Sequence, residues 1–223
     1  MRLQKFLAQA GVASRRKSEE FITDGKIKIN GTVSDELGVS VDENKDKVEY
    51  AGQVIKLEHA FIYIMLNKPL GFICSSRSRQ GETVLDLIDI QERVYPVGRL
   101  DKDSRGLVLL TNDGELTNQI THPKFGSIKE YEVAIDKTLD KRDIRVLNKG
   151  MILDGKKLQP VKVTNDGKVL KLTLTEGVNR QIRRMLGQLG YRVFDLKRIQ
   201  VGKLSLGGLK EGDWKYINKI DVI

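Results

Sequence analysis

The chain has 223 residues, with 39 Lys and Arg against 30 Asp and Glu and a net charge of +9; this excess points to an anionic partner, nucleic acid first. One cysteine and two histidines exclude an internal disulfide framework and a cysteine-rich zinc site, and they argue against a histidine-based metal site or triad. The N-terminus has no apolar secretory segment and no apolar run approaches a membrane span, so a cytoplasmic protein is expected.

Leu3, Phe6, Leu7 and Ala10 recur at helical spacing, and Gly11 ends the run. Ser14 predicts the cap of a second helix reaching about Asp24, with Phe21 and Ile22 on its inner side and Gly25 closing it. "KIKING" then alternates Lys and Ile as a half-buried strand. Asn30-Gly31 marks a tight turn, "TVS" begins the return strand, and a further strand is expected at "KVEYAG". Charge segregates within this unit. The first 17 residues hold five cations and no anion, whereas residues 35–49 hold six acids and two lysines. Residues 1–60 are neutral as a whole, so the entire excess lies beyond them. A polar joint is expected at Lys56–Ala60.

Past the joint, "FIYIMLNKPLG" predicts an apolar strand that stops at Lys68-Pro69, and "SSRSRQGE" predicts a polar loop. "TVLDLI" predicts a short helix. "VYPVG" leads into "LVLLT", a core strand, and "DGELTNQIT" predicts a helix capped by Asn112 or Asp113. "KEYEVAI" alternates as a strand, "LDKRDIRVLNKG" predicts a helix ended by Gly150, and "PVKVT" and "KVLKLTLTE" predict strands. "NRQIRRMLGQLG" is an amphipathic helix ended by Gly190, and "YRVFDLKRIQVG" is mostly strand. Strands dominate and helices sit between some of them, which is an α+β fold around a mixed sheet.

Three charged clusters invite a functional reading. Arg15, Arg16 and Lys17 lie in the first turn of the second helix, where the helix dipole disfavours cations by roughly 0.3–1 kcal/mol each. A bound polyanion reverses that sign; a solvated run offset by Glu19 and Glu20 is the plain alternative. Arg180, Arg183 and Arg184 are spaced i, i+3, i+4 and are expected on one helix face. Seven cations and one acid lie between Gly177 and Lys203, and the planar guanidinium suits phosphate and carboxylate. In "VGRLDKDSRGLVLLTNDG", Asp101 stands where a turn meets a core strand. A carboxylate that is buried and ionised there needs a cationic partner, for which Arg183 is the expected donor. Asp103 competes for the same role on spacing alone. In "KEYEV", alternation places Tyr131 and Val133 on one face; such a tyrosine can stack on a base or simply be a half-buried strand aromatic. There is no P-loop and no Rossmann glycine fingerprint.

The stretch "RLQKFLAQAGVASRRKSEEFITDGKIKINGTV" resembles the S4 RNA-binding domain. "LNKPLG", "VGRLDKDSRGLVLLTNDG", "KEYEV" and "GVNRQIRRML", in this order behind it, resemble the RsuA/RluB/RluE/RluF family of pseudouridine synthases across essentially the whole chain. The resemblance implies a small S4-type α/β domain over residues 1–58. It implies a catalytic domain over 59–223 on a mixed, mainly antiparallel sheet with flanking helices. It implies Asp101 as the catalytic aspartate, Tyr131 as the base-stacking tyrosine, Arg183 as the basic partner of the aspartate and Ile182 as an apolar pocket residue. Arg99 matches the arginine that holds the flipped-out nucleotide, and Lys68 with Pro69 matches the buttress of the site. Lys68, Arg180 and Arg184 join the expected substrate-binding set, and Arg2, Lys5, Arg15, Arg16 and Lys17 the expected RNA-binding set. The implied reaction turns uridine into pseudouridine in ribosomal RNA, by a monomer, with no metal or cofactor. "NRQIRRM" points to the large-subunit branch, with small-subunit or transfer RNA as alternative substrates. A non-catalytic ribosome assembly factor is the alternative class, and intact Asp101, Tyr131 and Arg183 argue against it.

Overall fold

A computed structural model describes residues 1–57, 60–76, 81–164 and 167–223. The expected domain limit between residues 58 and 59 lies outside them, as do parts of the expected joint at Lys56–Ala60 and of the loop at 75–82. The chain divides into two units. One comprises Met1–Phe61, Ile90–Arg93 and Asn112–Gly114; the other comprises Ile62–Asp89, Val94–Thr111 and Glu115–Ile223.

The first unit opens with α1 (Leu3–Gln9) and α2 (Arg15–Thr23). Ser14 caps α2 as expected, its Oγ accepting from Lys17 N at 3.3 Å. Leu3, Phe6, Leu7 and Ile22 pack with Ile27, Val41 and Val48 into one small core. The strands are β1 (Ile27–Ile29), β2 (Thr32–Val33), β3 (Val48–Tyr50) and β4 (Gln53–Ile55), in the antiparallel order β2-β1-β3-β4. Asn30 and Gly31 both take positive φ, 51° and 84°, as a two-residue hairpin turn requires. Strand β4 was not expected. It returns through Ala51-Gly52, also at positive φ, and alanine is a poor turn signal.

In the second unit the elements run β5 (Tyr63–Lys68), β6 (Tyr95–Val97), β7 (Arg105–Thr111), α3 (Gly114–Thr121), β8 (Lys129–Ile135) and α4 (Lys141–Lys149). They continue with β9 (Ile152–Leu153), β10 (Lys156–Lys157), β11 (Lys162–Val163), β12 (Val169–Leu174), α5 (Gln181–Gln188), β13 (Val193–Val201), β14 (Leu204–Ser205) and β15 (Trp214–Tyr216). The main sheet has the order β11-β12-β8-β13-β7-β5-β15, with β6 on β7 and β14 on β13. Every pairing in it is antiparallel except β7 with β13, so the sheet is mixed and mainly antiparallel. Strand β7 carries "GLVLL", buried throughout, as a strand covered on both faces must be. Ile182, Met185 and Leu186 of α5 pack on Val133, Leu170 and Leu172. Leu116 and Ile120 of α3 pack with Leu107, Leu109 and Val201. Each such side chain stabilises the fold by about 1.5–3 kcal/mol on burial.

"TVLDLI" does not form the expected helix. Thr83 bridges Ile73, Val84 N donates to Ile73 O, and Asp86 Oδ2 accepts from both Thr83 N (2.6 Å) and Thr83 Oγ1 (3.1 Å). Backbone and side chain are committed to a bridged turn, a use of Asp and Thr that competes with helix. The hairpin β9–β10 was also missed; Asp154-Gly155 at positive φ is its turn. No helix among the described residues is long and apolar enough to cross a membrane.

Candidate active site

The site is built on the turn between β6 and β7, residues 98–104. Its two ends are held from below by cations on the strands that flank β7. Lys68, at the end of β5, is fully buried and donates to Ser104 O (2.5 Å) and Pro69 O (2.9 Å). Arg198, on β13, is 3% exposed and donates from Nε to Leu107 O (2.8 Å) and from Nη1 to Arg99 O (3.4 Å). Both residues are in register with Gly106. A Cβ on Gly106 would lie 2.3 Å from Arg198 O and its φ is +104°, so only glycine lets β7 and β13 meet there. Gly71 N donates to Lys102 O and Leu100 N to Cys74 Sγ, completing the frame of the turn. Burial pushes the Lys68 ammonium below the usual lysine range, against the opposing pull of Cys74, Asp103 and Asp101.

Asp101 faces a cavity of about 440 Å³ together with Arg99, Tyr131, Ile182, Arg180, Lys129 and Arg198. Its side chain is 30% exposed and its ion pair is a long one, 3.6 Å from Oδ2 to Arg180 Nη1. Asp103 does not line that cavity and is fully engaged. Arg180 grips it in bidentate fashion, Nη1 to Oδ1 at 2.9 Å and Nη2 to Oδ2 at 2.8 Å. Arg183 Nη2 donates to Asp103 O at 2.5 Å, and its Nε lies 3.4 Å from Asp103 Oδ2. The Arg180 guanidinium, aided by Arg183, holds the Asp103 carboxyl below the usual carboxylate range.

The expected Asp101–Arg183 pair is thus replaced by three others, Asp101–Arg180, Asp103–Arg180 and Asp103–Arg183. The cause is local backbone. Arg180 is not on the helix face with Arg183 and Arg184; it caps α5 in the left-handed conformation, φ 49°. That turns its side chain to the 101–103 turn, while Arg183 is held by Val193 O (3.1 Å) at the start of β13. Arg184 departs from the expected set: it bonds Asp154 of the β9–β10 hairpin and Asn179 O, and it lines neither this cavity nor the neighbouring one beside Asp103. Lys68 likewise cannot touch a ligand, because it is fully buried; it positions the turn. Tyr131 is half-buried beside the core and Ile182 is buried in it, both at the cavity wall, and Arg99 is exposed there.

In the first unit Arg15, Arg16 and Lys17 are exposed on the first turn of α2, with Lys17 bonded to Glu20. Arg2 Nη1 donates to Gly38 O, and Lys5 is half-buried. Sequence reasoning passed over Lys129 and Arg198. The signal for Lys129 was its place two residues before Tyr131 on one strand face. Arg198 was hidden because β13 shifts register between Arg198 and Gln200, which breaks the simple alternation of "LKRIQV".

Comparison with known proteins settles what this architecture is. The sequence model of RNA pseudouridylate synthase matches residues 62–188, and that of the S4 domain matches residues 1–46. The chain belongs to the RNA pseudouridylate synthase family. The synthase is 41% identical over 230 residues to "Ribosomal large subunit pseudouridine synthase B" of Bacillus subtilis (strain 168), covering 99% of this chain and 93% of that one. It is 34% identical over 229 residues to "Dual-specificity RNA pseudouridine synthase RluF" of Escherichia coli (strain K12), covering 100% of this chain and 77% of the relative. A solved structure, "Crystal structure of pseudouridylate synthase", superposes with a TM-score of 0.73 at 30% identity, over 99% of this chain and 97% of the other. The synthase is therefore an RNA-binding isomerase. Its reaction breaks the glycosidic bond of a uridine in RNA, turns the base and rejoins it through carbon.

Proposed function

We propose that the synthase isomerises one or a few uridines of ribosomal RNA, in the large subunit, with Asp101 as the catalytic carboxylate. One observation carries the assignment to Asp101. Of the two aspartates of the turn it is the one that faces the cavity with Tyr131 and Ile182, and it has only a 3.6 Å contact to Arg180, whereas Asp103 is spent on two arginines. An aspartate so placed is free to attack or to take a proton. Tyr131 stacks on the flipped base, Ile182 forms the apolar wall and Arg99 holds the displaced nucleotide. Together they offset an unstacking cost of a few kcal/mol. Arg180 sets a positive charge 3.6 Å from Asp101 Oδ2, and Arg183 holds the turn through the Asp103 carbonyl. The S4 domain, taken as residues 1–58, binds RNA through Arg15 and Arg16 at the start of α2. The name of the Bacillus subtilis relative supports the large-subunit target. The enzyme acts as a monomer in the cytoplasm.

The test is a pseudouridine map of ribosomal and transfer RNA in cells lacking the gene, complemented with wild type or Asp101→Asn. A large-subunit signal that is lost, restored by wild type and not by the mutant, is the expected result. A lost signal in transfer RNA would correct the substrate, and restoration by Asp101→Asn would overturn the role of Asp101.

A further inference from the structure

The cavity beside Asp101 contains two cations, Lys129 and Arg198, to which the proposed function gives no contact with the nucleotide. Lys129 and Tyr131 stand two residues apart on β8 and share a sheet face, and Arg198 is opposite Tyr131 on β13. All three line the cavity. Among the described residues, Arg198 bonds only the two backbone carbonyls of Leu107 and Arg99, and its buried Nη2 has no partner. Lys129 donates to Ser127 O at 3.0 Å, and burial, then the charge of Arg198, pushes its ammonium below the usual lysine range. The Oγ atoms of Ser127 and Ser104 in the same wall are also buried without a partner.

Two carboxylates line the cavity, and among the described residues neither pairs with Lys129 or Arg198. Asp101 lies against Arg180, and Glu176 Oε1 accepts from Gln159 N (3.0 Å) and Gln181 Nε2 (2.8 Å). Two interacting cations taken out of water with no carboxylate between them are costly, and a buried guanidinium nitrogen with nothing to donate to adds to that cost. An anion relieves both. Lys129 is about 7 Å along the strand from Tyr131, the scale on which a nucleotide's phosphate lies from its base.

We propose that Lys129 and Arg198 form a phosphate subsite, which holds a phosphate group attached to the target uridine while its base lies on Tyr131. Ser127 Oγ is a further donor. The subsite rests on the reading of this cavity as the nucleotide site. Its test is calorimetric titration of the full chain with uridine, uridine 5′-monophosphate and uridine 3′-monophosphate, for wild type, Lys129→Gln and Lys129→Arg. One monophosphate should bind at least about tenfold tighter than uridine, as a charge-assisted contact provides. Which of the two does so identifies the phosphate. In Lys129→Gln the preference should fall to within about threefold with uridine affinity unchanged, and Lys129→Arg should retain it.

Equal affinity for uridine and both monophosphates overturns the subsite, as does failure of both monophosphates to bind, or a preference that survives Lys129→Gln. No turnover is read, so the two readings fail separately. Loss of the pseudouridine signal assignment leaves a measured phosphate preference standing, and an active enzyme without that preference loses only the subsite.

Discussion

Asp101 and Asp103 are two residues apart and differ in what surrounds them. Asp103 is taken up by Arg180 and Arg183; Asp101 keeps an open side toward the cavity. Asp101→Asn should abolish isomerisation while RNA affinity stays within several-fold, measured by single-turnover pseudouridine formation and filter binding. Asp103→Asn should slow turnover yet leave it measurable. Its effect on stability should stay within about 1 kcal/mol, because the Asp103–Arg180 pair is half exposed. Sequence spacing left the two aspartates tied, since nothing in "RLDKD" tells which carboxylate the arginines will reach. The left-handed backbone of Arg180 decides it, and that conformation is rare enough outside glycine to escape a helix-periodicity argument.

At the scale of elements, the active turn depends on how closely β7 and β13 approach. Gly106→Ala must fit a Cβ against the Arg198 backbone at positive φ. The backbone strain alone costs about 1–3 kcal/mol, and the clash moves the strand that carries Arg198. Chemical denaturation should report the lost stability, and turnover should fall with it. Arg105 joins the same two strands, gripping Asp195 at 2.9 and 2.6 Å and reaching Glu211 at 3.1 Å. The Arg105 guanidinium holds the Asp195 carboxyl below the usual carboxylate range. A carboxylate with a depressed folded pKa adds stability above its unfolded value, about 3.9, and that contribution is lost as pH falls through the lower folded value. Asp195→Asn should therefore lower the denaturation midpoint at pH 6 by about 1 kcal/mol equivalent and bring the mutant and wild-type curves together as pH falls below the usual carboxylate range. A gap that persists at low pH would mean the pair acts by packing alone. The strand content, Ser14 cap and Asn30-Gly31 hairpin were legible in sequence because each rests on neighbours in the chain. "TVLDLI" was misread because Ile73, ten residues before Thr83, claims its backbone.

For the whole molecule, charge is the property with functional reach. The excess of +9 lies past residue 60, yet the exposed cations of α2 sit within the first 60 residues, which are neutral as a whole. Arg15 and Arg16 make no ion pair among the described residues, so reversing both, Arg15→Glu with Arg16→Glu, should leave the melting temperature unchanged. RNA affinity should fall and the salt dependence of binding should flatten by about two phosphate contacts, read from binding isotherms over a range of salt. An unchanged slope would place RNA elsewhere on the protein.

The sequence by itself determined the class of the protein. Hydrophobic periodicity, turn residues and caps are local, and they sufficed for an α+β chain with a small helix-hairpin unit ahead of a large sheet. The motifs "GRLD", "KEYEV" and "NRQIRRM" carried the family and singled out Asp101, Tyr131 and Ile182, which do meet at one cavity. Only the tertiary structure decided which arginine meets which aspartate, that Lys68 supports the turn from inside, and that Lys129 and Arg198 stand together. These depend on strand register, on a bulge in β13 and on desolvation. Each of the three arises between segments distant in the chain, where spacing along the sequence carries no information.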